Sequence, residues 1–227
     1  GIRKKLFKLL EMTLIRRADA VVVVSDSIAD WYENRYNIPR PLVIRSIPKV
    51  KESTSTKSKD CSRKQLGLEP DDILFSYIGV LSRSRKIEDL QKLFSKVPSS
   101  RHIIFFGDGE LAGSIISSTR QFTSIHYHPA VPHDEVVDQI SGADVGLVLF
   151  DTRPLSRSMA LPNKFFEHLL AGVPVIVPNT KDLSEFVKTY DCGWIVDSED
   201  ISELYELIVT LDELEISVKK ANAMKVR

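Results

Sequence analysis

Apolar positions divide this chain into two unlike stretches separated by a polar gap. Over residues 2–17, Ile2, Leu6, Leu9, Leu10 and Leu14 recur at three- and four-residue steps, which predicts a helix. Arg3, Lys4, Lys5, Lys8, Arg16 and Arg17 make that helix basic. It fits a helix on a membrane surface or a domain helix with a solvated face, and Glu11 and Thr13 dilute the pattern toward the second. Residues 20–24 are a mostly β-branched run suited to a buried parallel strand. Ser25 or Asp26 can cap the helix that follows, Pro39 and Pro41 stop it, and 42–47 reads as another strand.

The gap is 49–65, polar and rich in serine and threonine, which predicts a linker because it offers too little apolar surface to offset chain ordering. Beyond it a strand–helix rhythm begins. Strands are predicted at 73–78, 102–106, 124–127, 144–149, 173–177 and 193–196. Helices are predicted near 87–96, 109–119, 133–141, 163–171 and 182–190, with a last one from Ile201. The fold class is therefore α/β, a Rossmann-like parallel sheet covered by helices on both faces. Such sheets bind ligands beyond the carboxyl ends of their strands, where strand order reverses, which directs attention to the loops at 79–86, 107–110, 128–133, 150–163 and 178–182.

Composition narrows the picture slightly. The 31 basic and 31 acidic residues cancel, so net charge supplies no drive toward nucleic acid. The two cysteines, Cys61 and Cys192, are far apart and make neither a disulfide framework nor a zinc site, which fits a cytoplasmic setting. No run is long enough for a membrane span. The chain starts at Gly1, and the expectation is a piece of a longer protein.

Three loops carry candidate chemistry. Gly107-Asp108-Gly109 follows a strand and matches a relaxed dinucleotide fingerprint, but in the second strand–helix unit and with no acidic residue ending the next strand. The other reading is a turn where backbone approaches a neighbour closely. Gly79 ends the first strand after the gap, and Arg83, Arg85 and Lys86 follow it; they suit a diphosphate or form a solvated basic loop. In 161–176, Pro162 opens a helix and Gly172 closes it. The helix start favours an anion, and Glu167, one turn in, suits a pair of ribose hydroxyls or simply supports the helix dipole.

Four segments in order resemble the retaining glycosyltransferases of family 4, which have the GT-B fold of two facing Rossmann-like domains. Leu161–Ile176 resembles their LPNK-x-FE-x-x-x-AG-x-PV signature, and residues 18–25 resemble the strand that ends their N-terminal domain. Phe106-Gly107-Asp108-Gly109 resembles their GDG turn, and Ala143-Asp144-Val145-Gly146-Leu147 their ADVGL strand. The resemblance implies the C-terminal half of a GT-B enzyme. Residues 1–48 would be the tail of the acceptor domain, 49–69 a polar linker and lead-in, 70–211 the nucleotide-sugar domain and 212–227 a cut C-terminal helix.

It further implies that Glu167 binds the donor ribose, and that Arg85 stabilises the diphosphate leaving group in place of a metal. Val131 would meet the base through its backbone, and the loop Ser156–Leu161 would offer N–H groups to phosphate. Gly79, Arg83, Lys86, Gly109, Leu161, Asn163 and Lys164 complete the implied donor site. No cofactor and no metal are expected; the partners are a UDP- or GDP-sugar and a glycan or lipid-linked acceptor, with membrane contact peripheral. The fragment alone would bind donor without turnover. The chain departs from the pattern at Met159, where the family's first glutamate stands, at Val80, where an arginine often stands, and at Lys86, where glycine is common. A nucleotide-sugar 2-epimerase using His128 or His133, or a non-catalytic binding domain, are the alternatives.

Overall fold

The computed structural model describes residues 2–48, 63–197 and 199–226. Most of the predicted linker, including Cys61, lies outside them. Helix α1 (Ile2–Leu14) and a 3₁₀ turn lead to strand β1 (Val22–Val23), helix α2 (Asp26–Tyr36) and strand β2 (Leu42–Val43). The Ser25 hydroxyl accepts a hydrogen bond from the Ile28 N–H and caps α2, and Asn37 ends it in a left-handed conformation.

β1 and β2 form a parallel pair separate from the main sheet. The expectation of a buried strand over 20–24 is corrected here: Val23 is buried, but Val22 and Val24 are 54% and 42% exposed. Side chains alternate along a strand, and only the face toward α2 is covered. The strand predicted over 42–47 pairs only at its first two residues. Along α1, Leu6, Phe7, Leu9, Leu10 and Leu14 are all exposed.

The second stretch folds as predicted, into six parallel strands in the order β5-β4-β3-β6-β7-β8. These are β3 (Ile73–Ile78), β4 (Arg101–Phe106), β5 (Ile125–His128), β6 (Val145–Leu147), β7 (Val175–Pro178) and β8 (Gly193–Val196). The chain runs outward from β3 to β5, then returns to place β6 on the other side of β3, so strand order reverses between β3 and β6. The intervening helices are α3 (Ile87–Phe94), α4 (Ala112–Thr119), α5 (Val136–Ile140), a short α6 (Leu155–Ser158), α7 (Asn163–Leu170) and α8 (Lys181–Tyr190). α9 (Ile201–Thr210) and α10 (Glu213–Val226) finish the domain.

Every residue of β3 is buried, because both faces are covered. Phe75, Tyr77, Ile103 and Phe105 pack under α3 on one face, and Leu74, Ile78, Ile104 and Phe106 pack with Ile140 of α5 on the other. Phe165, Phe166 and Leu169 of α7 join Val175 and Val177 of β7 and Leu183 of α8 in a third cluster. α10 folds back against α7 and α8, with Lys220 bonded to Asp144 at 2.6 Å and Met224 seated against Gly172. The first segment reaches this domain through α2: the Ser27 N–H donates to Asp182 at 3.1 Å, and Lys181 pairs with Asp30 at 2.7 Å.

Candidate functional site

The reversal of strand order leaves a crevice at the carboxyl ends of β3 and β6, as the topology requires. Beside it, past the carboxyl ends of β3 and β4, opens a cavity of about 340 Å³, lined by Gly79, Val80, Gly107, Asp108, Ala130, Val131, His133 and Glu167 over a floor of Ile78, Phe106, Val136 and Ile140. A larger cavity, about 560 Å³, lies at the opposite edge of the sheet between Arg63, Asp72, Asp144 and Lys220. Its charges are spent on one another. Burial pushes the Asp144 carboxyl up, but Lys220, the Leu74 N–H and Arg63 together hold it below the usual carboxylate range. The smaller cavity is the better site because it lies past the carboxyl ends of the strands, where parallel sheets bind their ligands.

The walls are built from glycines that nothing else replaces. Gly107 has φ of 155°, and a Cβ there would stand 2.0 Å from the Gly79 carbonyl oxygen. Gly109 has φ of 149°, and its Cβ would stand 2.5 Å from the Leu81 carbonyl oxygen. The Leu81 N–H in turn donates to Asp108 O at 2.9 Å. The Gly-Asp-Gly turn therefore serves close packing of the loops after β3 and β4, the second of its two sequence readings.

Glu167 lies at the wall of the cavity, buried, with Oε1 3.3 Å from Nδ1 of the exposed His133. Burial raises its pKa, while His133 and Lys164 work to lower it. Its helix is pinned from beneath. His168 is completely buried; its Nδ1 lies 2.6 Å from the Lys164 carbonyl oxygen, and its Nε2 lies 3.0 Å from Ser76 Oγ. A carbonyl only accepts, so Nδ1 carries the proton. Burial holds the ring neutral, with a pKa down to about 4, so Nε2 accepts from the Ser76 hydroxyl. The pin works only because residue 146 is glycine: a Cβ there would stand 2.3 Å from His168 Cδ2.

The predicted cations take unequal places. Arg85 is half-buried and acts electrostatically on both Tyr77 and Lys164. Arg83 is exposed, 3.8 Å from Glu88. Lys86 adopts the left-handed conformation, with φ of 62°, that explains why glycine suits its position; its ammonium is paired with Glu199 at 3.2 Å and Asp89 at 3.7 Å. Lys164 is buried over the Tyr77 ring, and Leu161 is buried in the α7 cluster, whereas Asn163 is exposed at the helix start.

One expectation is corrected. The loop 156–161 does not hold a row of open N–H groups: it coils into α6, where the N–H groups of Arg157 and Ser158 bond to Pro154 O and those of Met159 and Ala160 to Arg157 O. In the first turn of α7 the Phe165 N–H is taken by the Pro162 carbonyl at 3.0 Å, and the N–H groups of Asn163 and Lys164 remain as anion-binding donors. Sequence reading also passed over Arg157, which donates to the Ser84 carbonyl at 3.2 Å and ties α6 to the basic loop. It passed over the pairing of Ser76 and Gly146 with His168 as well. A histidine on an otherwise apolar helix face was the available signal for it.

Known proteins share this fold. The chain is 28% identical over 128 residues to the putative teichuronic acid biosynthesis glycosyltransferase TuaC of Bacillus subtilis (strain 168), which covers 56% of this chain and 30% of that protein. It is 20% identical to TuaH of the same organism over 188 residues, 47% of that protein. The chain thus spans less than half the length of these relatives. Anabaena Alr3699/HepE in complex with UDP superposes with a TM-score of 0.75 at 18% identity, over 95% of this chain and 60% of that one. WaaG, a glycosyltransferase involved in lipopolysaccharide biosynthesis, does so with a TM-score of 0.66 at 12% identity, over 90% of this chain and 57% of that one. At such identities the likeness is one of fold. Residues 77–227 match the model for the glucosyltransferase 3-like C-terminal domain, and the chain belongs to that glycosyltransferase family.

Proposed function

We propose that this chain is the donor-binding part of a retaining glycosyltransferase that takes a sugar from a nucleoside diphosphate, UDP or GDP, to a glycan or lipid-linked acceptor. The observation that carries the reading is the placement of Glu167: a carboxylate buried beside a helix start, at the switch point of a parallel sheet, on the wall of a cavity large enough for a nucleoside. Its two oxygens suit the vicinal hydroxyls of a ribose. The Val131 backbone stands on the same cavity, where the base would lie. Arg85 and the first turn of α7 then face the diphosphate, and fixed positive charge there stabilises the departing anion. The UDP in the HepE structure supports a uridine nucleotide as the first donor to try.

On this reading residues 2–48 are the end of the acceptor domain. Their separate strand pair and exposed apolar helix are surfaces that the remainder of such a domain would cover. Acceptor groups would lie outside this chain. The His133–Glu167 pair, 3.3 Å apart, supports the 2-epimerase as a second reading, since it offers an acid and a base at the cavity.

Calorimetric titration with UDP, GDP and their sugars tests the proposal. One nucleotide should bind with a Kd in the micromolar to millimolar range, and about equally with and without EDTA, because side-chain cations supply the charge. A loss beyond about tenfold with EDTA would sink the metal-free site. Among the described residues no group of three His, Cys, Asp or Glu side chains is placed to hold a metal. Incubation of the full protein with donor alone, followed by NMR of the sugar, separates the two enzymes: an epimerised nucleotide sugar would replace the transferase reading.

A further inference from the structure

Lys164 is the second residue of α7, at the carboxyl edge of the sheet. Its Nζ has no surface exposed to water and no hydrogen-bond partner among the described residues. It stands 3.8 Å from the centroid of the Tyr77 ring, whose face gives a cation some attraction but no acceptor. A buried ammonium with three donors and no acceptor is expensive, and a lysine answers that expense by giving up its proton. The charged groups that act on it are Arg85 from the loop after β3, which opposes its charge, and Glu167 from its own helix, which favours it. Tyr77 faces it from β3, and its phenol is held neutral by burial. His168 lies one turn along and is neutral. His133 reaches Glu167, not Lys164.

We propose that Lys164 is a proton-coupled anion sensor of the donor crevice: its amine is neutral when the crevice is empty and takes one proton from solvent when a diphosphate enters. This rests on the donor reading above. The step balances simply, as R–NH₂ plus H⁺ gives R–NH₃⁺, with no bond to the ligand formed or broken. The anion supplies what the empty site lacks, an opposite charge close to Lys164 and an offset to Arg85. Burial and Arg85 already hold the free amine down to about 7, so above neutrality most molecules are in the state that must gain a proton. The sign follows. A group whose pKa is raised by binding strengthens binding below its free pKa, and that gain is lost as pH rises toward the bound pKa.

The experiment is calorimetry of UDP binding to the full chain at pH 8, in buffers of different ionisation enthalpy, where the free diphosphate is already fully ionised. The slope of apparent enthalpy against buffer enthalpy counts protons. Wild type should take up about one proton per UDP, and its affinity should fall by up to about tenfold per pH unit above neutrality. Lys164→Met should bind more weakly with no uptake. Lys164→Arg, which cannot lose its charge, should bind without uptake and with little pH dependence. His133→Asn should keep the wild-type count. UDP binding by wild type with no proton uptake would overturn the inference and leave the donor site standing; so would an uptake that survives Lys164→Met or Lys164→Arg, or that disappears in His133→Asn. Failure of both UDP and GDP to bind would overturn the donor reading itself. The wild-type count needs no variant to fold.

Discussion

Gly146→Ala should lower the melting temperature by about 4–16 °C and weaken nucleotide binding in the same variant, although residue 146 does not line the cavity. The new Cβ would meet the His168 ring at 2.3 Å, far inside contact distance. Neither partner has room to yield. His168 is held at both nitrogens, by Ser76 and by the Lys164 carbonyl, and residue 146 is held in register with Ser76 of β3 and Val175 of β7. Overpacking costs about 1–3 kcal/mol, and breaking the buried Ser76–His168 bond adds about 1 kcal/mol or more. For a domain of this size each kcal/mol moves the melting temperature by about 2–4 °C. Binding suffers because His168 sits on the helix that carries Lys164 and Glu167, and a shift of about 1 Å there misplaces both.

A double-mutant cycle checks the cause. His168→Ala alone leaves a cavity and removes the partner of a buried hydroxyl, and should itself cost about 2–4 kcal/mol. In the double variant the clash is gone, so the two losses should fall short of their sum by about 1–3 kcal/mol. Simple additivity of the two melting losses would mean that the cost of a side chain at residue 146 does not come from the His168 ring.

That pin also marks where sequence reading runs out. The sheet was legible because β3, β4 and β7 are buried on both faces and so must be nearly unbroken apolar runs, and because Gly79 and Gly172 punctuate them. The crevice followed from strand order, and Glu167, Gly79 and Val131 do meet on one cavity. What could not be read is pairing across space. Ser76, Gly146 and His168 look unrelated along the chain, and only the register of β3 against β6 brings them together. Ion pairs were equally hidden: the basic loop looked uniform, yet Lys86 is bound to Glu199, far away in sequence, while Arg85 acts electrostatically on Lys164. The strand at 20–24 was misjudged as buried for a related reason: a β-branched run states what a strand would do if covered, not whether a cover is present.

Glu167→Gln should weaken the nucleotide by about 1–2 kcal/mol, roughly 5- to 30-fold, and Glu167→Ala by about 2–3 kcal/mol, roughly 30- to 150-fold, with neither variant less stable than wild type. The affinity loss follows from two charge-assisted hydrogen bonds to the ribose, weakened when the charge is removed and abolished when the side chain is cut back. The stability claim follows from the sign of the titration. Burial raises the Glu167 pKa, so the folded chain holds the proton more tightly than the unfolded one. Such a group is a net cost to the fold once pH exceeds its folded pKa, and a neutral glutamine of the same shape removes that cost. The melting temperature at neutral pH should therefore stay level or rise, as expected where a charge is kept buried for binding. A carboxylate that merely supported the helix dipole would give the opposite result, a lower melting temperature and unchanged binding. A nucleoside diphosphate lacking both ribose hydroxyls supplies the control. It should bind wild type weakly and lose almost nothing further on Glu167→Ala. Should it lose as much as the natural nucleotide does, the carboxylate is reading some other part of the ligand, and the assignment of the ribose to this wall of the cavity is wrong.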